Sequence, residues 1–142
     1  MDKLARFNQQ VLRYQDDAYT LACFLVGNEK EAEQVTQEAV AAAFRLCPQQ
    51  GGGCRLLLLR QVCRLCRARR PAGQIFSGLP GQLNSFGIAI HERMVLILVD
   101  VLELSYRETA AVLSLPVKNV GRLLSIARRK VSDQEALQAN LE

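Results

Sequence analysis

No apolar run in the 142 residues approaches the roughly 20 needed to cross a bilayer. The opening "MDKLARFNQQ" also lacks the basic-then-apolar pattern of a secretory signal, so a cytoplasmic protein is expected. Histidine is close to absent: His91 stands alone near a helix start, with no partner in view, and is read as a surface residue. No nucleophile–base constellation accompanies it. The "GGG" at 51–53 lacks the strand and helix that a phosphate-cradling loop requires. The sequence therefore reads as that of a non-enzymatic protein without a cofactor.

Acidic residues are missing from a long central block. Residues 39–91 hold seven Arg and no Asp or Glu, whereas residues 1–38 hold seven acids against four bases. Residues 92–142 are balanced at seven of each. Such segregation suggests an acidic face for one partner and a basic face for a polyanion, although a basic block can also be a solvated face. Hydrophobic residues at 49% and charged residues at 23% are ordinary for a globular chain, and the length suits one compact domain or two small ones.

Cysteine is odd in number. With five and no signal, a disulfide scaffold is not expected. Cys47, Cys54, Cys63 and Cys66 follow the spacing C-x6-C-x8-C-x2-C, and the last two lie one helical turn apart. That is compatible with a shared metal or a redox site. Both, however, fall on an apolar face, where free Cys packs as a small hydrophobe, and packing is the expected role. Cys47 and Cys54 flank a loop and would be the more reactive pair if exposed.

Apolar positions recur at helical spacing. Leu4, Phe7, Val11, Tyr14, Ala18, Leu21 and Leu25 share one face, and Gly27 supplies a stop. Asn28 caps a second helix with Glu31 three residues on, and Ala32, Val35, Ala39, Ala42 and Ala43 form its apolar stripe. "PQQGGG" (48–53) reads as a loop. In the third helix, Leu56, Leu59, Val62, Cys63 and Cys66 share one face, while Arg60, Arg64 and Arg67 line another. Phosphate is the polyanion best suited to such a guanidinium ridge. Residues 71–88 are rich in Gly, Pro, Ser and Gln and read as a linker.

Beyond the linker, "IHERMVLILVDVL" reads as a buried helix. Ser105 and Glu108 form an S-x-x-E box for a short helix, "SLP" turns the chain, and Pro116 suits the next helix's first turn. Val117, Val120, Leu124, Ala127 and Val131 form that helix's buried stripe, with Lys118, Asn119, Arg122 and Ser125 opposite. Two short helices, a tight turn and basic residues near the start of the second are the signature of a DNA-reading helix-turn-helix, although any small helical bundle could hold two such helices.

These residues resemble a bacterial RNA polymerase sigma factor of the extracytoplasmic-function group over nearly the whole chain. "DVLELSYRETAAVLSLPVKNVGRLLSIARRKV" is similar to the group's −35 reading domain at Leu104, Ser105, Tyr106, Glu108, Ala110, Leu113, Pro116, Val117, Val120, Ala127 and Arg128. "GNEKEAEQVTQEAVAAAFR" is similar to its polymerase-docking helix at Gly27, Glu31, Ala32, Glu33, Gln37, Glu38, Phe44 and Arg45. The resemblance implies an all-α fold of two small helical domains. Residues 1–70 would be the region 2-like domain, 71–88 the linker, 89–136 the region 4-like helix-turn-helix, and 137–142 a tail. It implies core RNA polymerase, through its clamp helices, as partner of Glu31, Glu33, Gln34, Gln37 and Glu38. Promoter DNA would meet Arg60, Arg64, Arg67, Arg69, Arg70, Lys118, Asn119, Arg122 and Arg128, and an anti-sigma factor is a further partner.

Two departures qualify that expectation. No aromatic residue lies between Phe44 and Phe76, where family members capture flipped bases, and base stacking is worth roughly 1–3 kcal/mol each. In the recognition helix, Gly121, Leu123 and Ile126 replace side chains that would often reach DNA. The alternative reading is a diverged sigma-like regulator that binds polymerase or another protein without melting promoters, with its cysteines as a sensor. A plain DNA-binding repressor is a third, and leaves the acidic helix unexplained.

Overall fold

The computed structural model describes residues 3–46, 54–69 and 89–141. The expected loop at 48–53, the linker at 71–88, Cys47 and Arg70 lie outside the described residues. Within them the chain forms α1 (Lys3–Val26), α2 (Glu29–Leu46), α3 (Cys54–Arg69), α4 (Ile90–Leu96), α5 (Tyr106–Leu113) and α6 (Val117–Leu141). A π-helical turn, Ile97–Val101, continues α4 without a break. There is no strand among the described residues, so the all-α expectation is met.

The first break is made by local chemistry. Gly27 adopts φ 70°, a left-handed conformation that costs Gly little, and its N–H donates to the Cys23 carbonyl at 2.8 Å. The next residue starts α2: the Glu31 N–H donates to Asn28 Oδ1 at 3.0 Å. That satisfies one of the orphan donors at the helix start. α1 and α2 then pack through small residues, with Ala18, Ala22, Ala32, Ala39 and Ala43 all buried. α3 closes the layer with Leu58, Leu59, Val62, Cys63 and Cys66. Leu56 is only half-buried, and Leu58 takes the core position expected of it.

That core does not stop at α3. It continues into Met94, Val95, Ile97 and Leu98, and on to Ala110, Leu113, Val120 and Leu124. α3 packs against α5 and α1 against α4. A fully buried Leu or Ile of this kind contributes about 1.5–3 kcal/mol. Arg55 adds a polar link. Its guanidinium donates to Asp17 Oδ2 at 3.1 and 3.2 Å and to the Leu102 carbonyl at 3.3 Å, and lies over the Tyr14 ring.

α4 buries charge as well as apolar surface. Arg93 is fully buried, and burial pulls its guanidinium down to about 10, still charged at neutral pH. Glu92 is also buried, and accepts from Lys130 Nζ at 2.6 and 3.3 Å and from the Ala89 N–H at 3.3 Å. The π turn inserts one residue, so the Leu102 N–H bonds the Ile97 carbonyl five residues back at 2.9 Å. Glu103 then turns the chain at φ 60°. α6 runs to Leu141, through most of the segment expected as a tail.

Candidate nucleic-acid interface

The α5–α6 pair is built by its caps. The Glu108 N–H donates to Ser105 Oγ at 3.0 Å, and Glu108 Oε1 accepts from the Ser105 N–H at 3.0 Å. The Ser105 backbone N–H holds the Glu108 carboxyl below its usual range, helped by the Ser105 hydroxyl and the Arg55 charge. α5 ends at Ser114, whose φ of 56° is left-handed, and the Leu115 N–H reaches back to the Ala110 carbonyl at 3.0 Å. The chain thereby bends by 99° between α5 and α6, within the helix-turn-helix range.

α6 presents Lys118, Arg122, Ser125 and Arg129 to solvent, at spacings that put them on one face. Asn119 is half-buried, and its Oδ1 accepts from Arg122 at 3.1 Å, fixing the guanidinium beside the helix start. One expectation needs correction. Val117, assigned to the buried stripe, is 47% exposed, because the sharp turn carries the first residue of α6 beyond the reach of α5. Arg128, expected at DNA, is exposed and donates to Asp100 at 3.1 and 2.6 Å. The π turn supplies that carboxylate, and Arg129 continues the face of Lys118, Arg122 and Ser125. Gly121 faces α5: a Cβ there would meet the Tyr106 ring at 3.6 Å, ordinary contact.

The Arg ridge on α3 is divided. Arg60 and Arg64 are exposed, as expected. Arg67 is half-buried and points to His91, with NH1 3.4 Å from Nε2. His91 is therefore packed between helices rather than free at the surface. Burial lowers its affinity for a proton, and the Arg67 charge lowers it further. Arg69 binds acids of α2, at 3.0 Å to Glu38 and 3.6 Å to Glu31. On α2 itself, Glu33, Gln34 and Gln37 point to solvent beside that pair.

The cysteines separate into two kinds. Cys63 and Cys66 form no disulfide and have no exposed surface, and burial pushes the Cys63 thiol far above its usual range. They pack, as expected. Cys54 is disulfide-bonded, which removes it as a candidate metal ligand. Among the described residues no three His, Cys, Asp or Glu gather as a metal site. Arg55 was missed by sequence reasoning; its partners Asp17 and Leu102 lie 38 and 47 positions away, beyond any local pattern.

Residues 90–131 match the family Sigma-70, region 4. The match spans α4, the π turn, α5 and most of α6, the same helices that present Lys118 and Arg122. No curated protein matches the chain in sequence. Among solved structures, it is similar to the sigma factor RpoE from Bartonella quintana in its co-crystal with the anti-sigma factor NepR. The TM-score is 0.73 at 15% identity, over 92% of this chain and 97% of that one. The likeness shows a shared fold over nearly the whole chain, and the resemblance read from the sequence is borne out for the helix-turn-helix segment at 90–131. No single helix among the described residues is long and apolar enough to cross a membrane.

Proposed function

We propose that this sigma-like chain is a cytoplasmic transcription initiation factor of the extracytoplasmic-function type. It binds core RNA polymerase and directs it to promoter DNA. The observation that carries the reading is the coincidence of the region 4 match with a capped, sharply bent helix pair whose second helix turns Lys118, Arg122 and Arg129 outward. That helix enters the major groove at the −35 element, with Arg122, aligned by Asn119, as the base-reading side chain. Arg60 and Arg64 of α3 follow the backbone near the −10 element, and their salt-sensitive contacts position the protein without reading sequence.

Glu33, Gln34 and Gln37, with Glu31 and Glu38 beside them, form the surface for the polymerase clamp helices. Residues 1–70 act as the docking and −10 unit, 71–88 as linker and 89–136 as the −35 unit. By analogy with RpoE, an anti-sigma protein is a further partner. The polymerase supplies the chemistry, and the chain itself none.

Purified chain is mixed with core polymerase and genomic DNA fragments, and transcripts are sequenced. Specific starts with a common upstream element support an initiation factor. Binding without transcripts transfers support to the second reading, a sigma-like regulator, which is favoured by the absence of aromatic residues between Phe44 and Phe76. No binding to core polymerase refutes both.

A further inference from the structure

Val117 is the first residue of α6, and the sharp turn before it leaves it 47% exposed. One turn on, a Cβ at Gly121 would meet the Tyr106 ring at 3.6 Å, so cover from α5 begins at the second turn of α6. The first turn is left open, with Pro116, Val117 and Lys118 all exposed. Cα–Cβ bonds tilt toward a helix's N-terminus, so the Val117 isopropyl group projects past the end of α6. That end therefore carries two methyl groups together with the cations of Lys118 and Arg122, the latter held by Asn119 Oδ1 at 3.1 Å. A single exposed valine is ordinary on a protein surface. This one stands where the first residues of a recognition helix reach base edges.

We propose that Val117 is a specificity-determining residue that reads the C5-methyl group of a thymine in the −35 element. The proposal rests on the DNA-reading role assigned to α6 above. Among the four bases only thymine presents a methyl group in the major groove, and apolar side chains recognise it by contact. Lys118 and Arg122 carry only donors and suit the O6 and N7 acceptors of guanine, so neither recognises a methyl. Val117 and Arg122 are five residues apart, about 7.5 Å along the helix, or about two base pairs of duplex. The thymine should therefore lie within about two base pairs of the base that Arg122 reads. Removing one methyl from water corresponds to about a 4-fold gain in affinity.

The test removes the methyl from each partner in turn. The full chain, bound to core polymerase, selects duplexes from a randomised pool. Every thymine of the recovered −35 element is then replaced singly by deoxyuridine, which lacks only the C5 methyl. For the wild type, one replacement should weaken binding by about 4-fold. V117A, which retains the fold because Ala favours a helix more than Val does, should bind the thymine duplex about as weakly as the wild type binds the deoxyuridine one. It should lose nothing further on replacement. R122A should bind more weakly throughout and keep the methyl effect. No methyl-sensitive thymine for the wild type, or the same methyl penalty in V117A, overturns the proposal. So does a V117A loss that is equal on all sequences, which would assign Val117 to packing or to a protein contact. If the wild type selects no common sequence at all, the −35 reading beneath the proposal fails and takes the proposal with it.

Discussion

The same substitution, Gly to Ala, should act with opposite signs at two positions. Gly121 lies inside α6 with helical backbone, and an added methyl would stand 3.6 Å from the Tyr106 ring. Helix propensity favours Ala over Gly by about 0.8–1.0 kcal/mol, and a partly covered methyl adds a few tenths. G121A should therefore stabilise by about 1 kcal/mol, raising Tm by about 3 °C. Gly27 sits at φ 70°, where an L side chain costs about 1–2 kcal/mol. G27A should lower Tm by about 3–6 °C. Thermal melts followed by circular dichroism, with DNA binding measured in parallel, read both. G121A should leave −35 affinity unchanged, since Lys118 and Arg122 point elsewhere. A fall in Tm for G121A would mean that α5 approaches α6 more closely than the Tyr106 contact implies, and the account of the helix-turn-helix packing would fail.

Other expectations follow from the buried and exposed charges. K130M should destabilise by about 2–3 kcal/mol, short of the 3–5 of full burial, because it strands the Glu92 carboxylate, only 10% exposed. Adding E92Q should restore most of that loss in urea unfolding, and no recovery would refute the pairing. R122A should weaken −35 DNA by about 1–3 kcal/mol and relax preference at one base, whereas R64A should lower affinity evenly and reduce the salt slope by about 0.9. Equal losses on all sequences for R122A would argue against base reading. For His91, burial and Arg67 lower the folded pKa below 6.5, so the unfolded chain holds more protons at low pH. Its contribution should be complete above about pH 6.5 and decline as pH falls through the depressed value. H91Q should flatten that slope in melts between about pH 7.5 and 5, and an unchanged slope would assign it to other groups.

What was legible in the sequence was local. Asn28 with Glu31 and Ser105 with Glu108 are three residues apart, and Gly27 announces its own conformation, so the helix starts and stops were readable from neighbouring residues. The partners of Arg55, Arg69 and Arg128 were not, because they sit on other helices 38, 31 and 28 positions away. A guanidinium stripe drawn at helical spacing takes no account of which residues a second helix will present to it. The π turn had no sequence signal either. Its extra residue brings Asp100 to Arg128, an ion pair that no local pattern announces. Val117 shows the same limit: period assigns a face, but only the bend between α5 and α6 decides where that face is covered.

The continuity of the core from α1 to α6 has a consequence on the ribosome. Chain synthesis at about 5–20 residues per second means that roughly 70 further residues, some 4–14 s, separate the end of α3 from the end of α6. During that interval α1 and α3 are complete, but the surfaces that pack on α4 and α5 have nothing to cover them. A nascent chain paused after α3 should therefore expose apolar surface and recruit holding chaperones. It becomes independent of them only when α4 and α5 leave the exit tunnel, so slow codons between residues 71 and 88 would lengthen the dangerous interval and lower the yield of native protein.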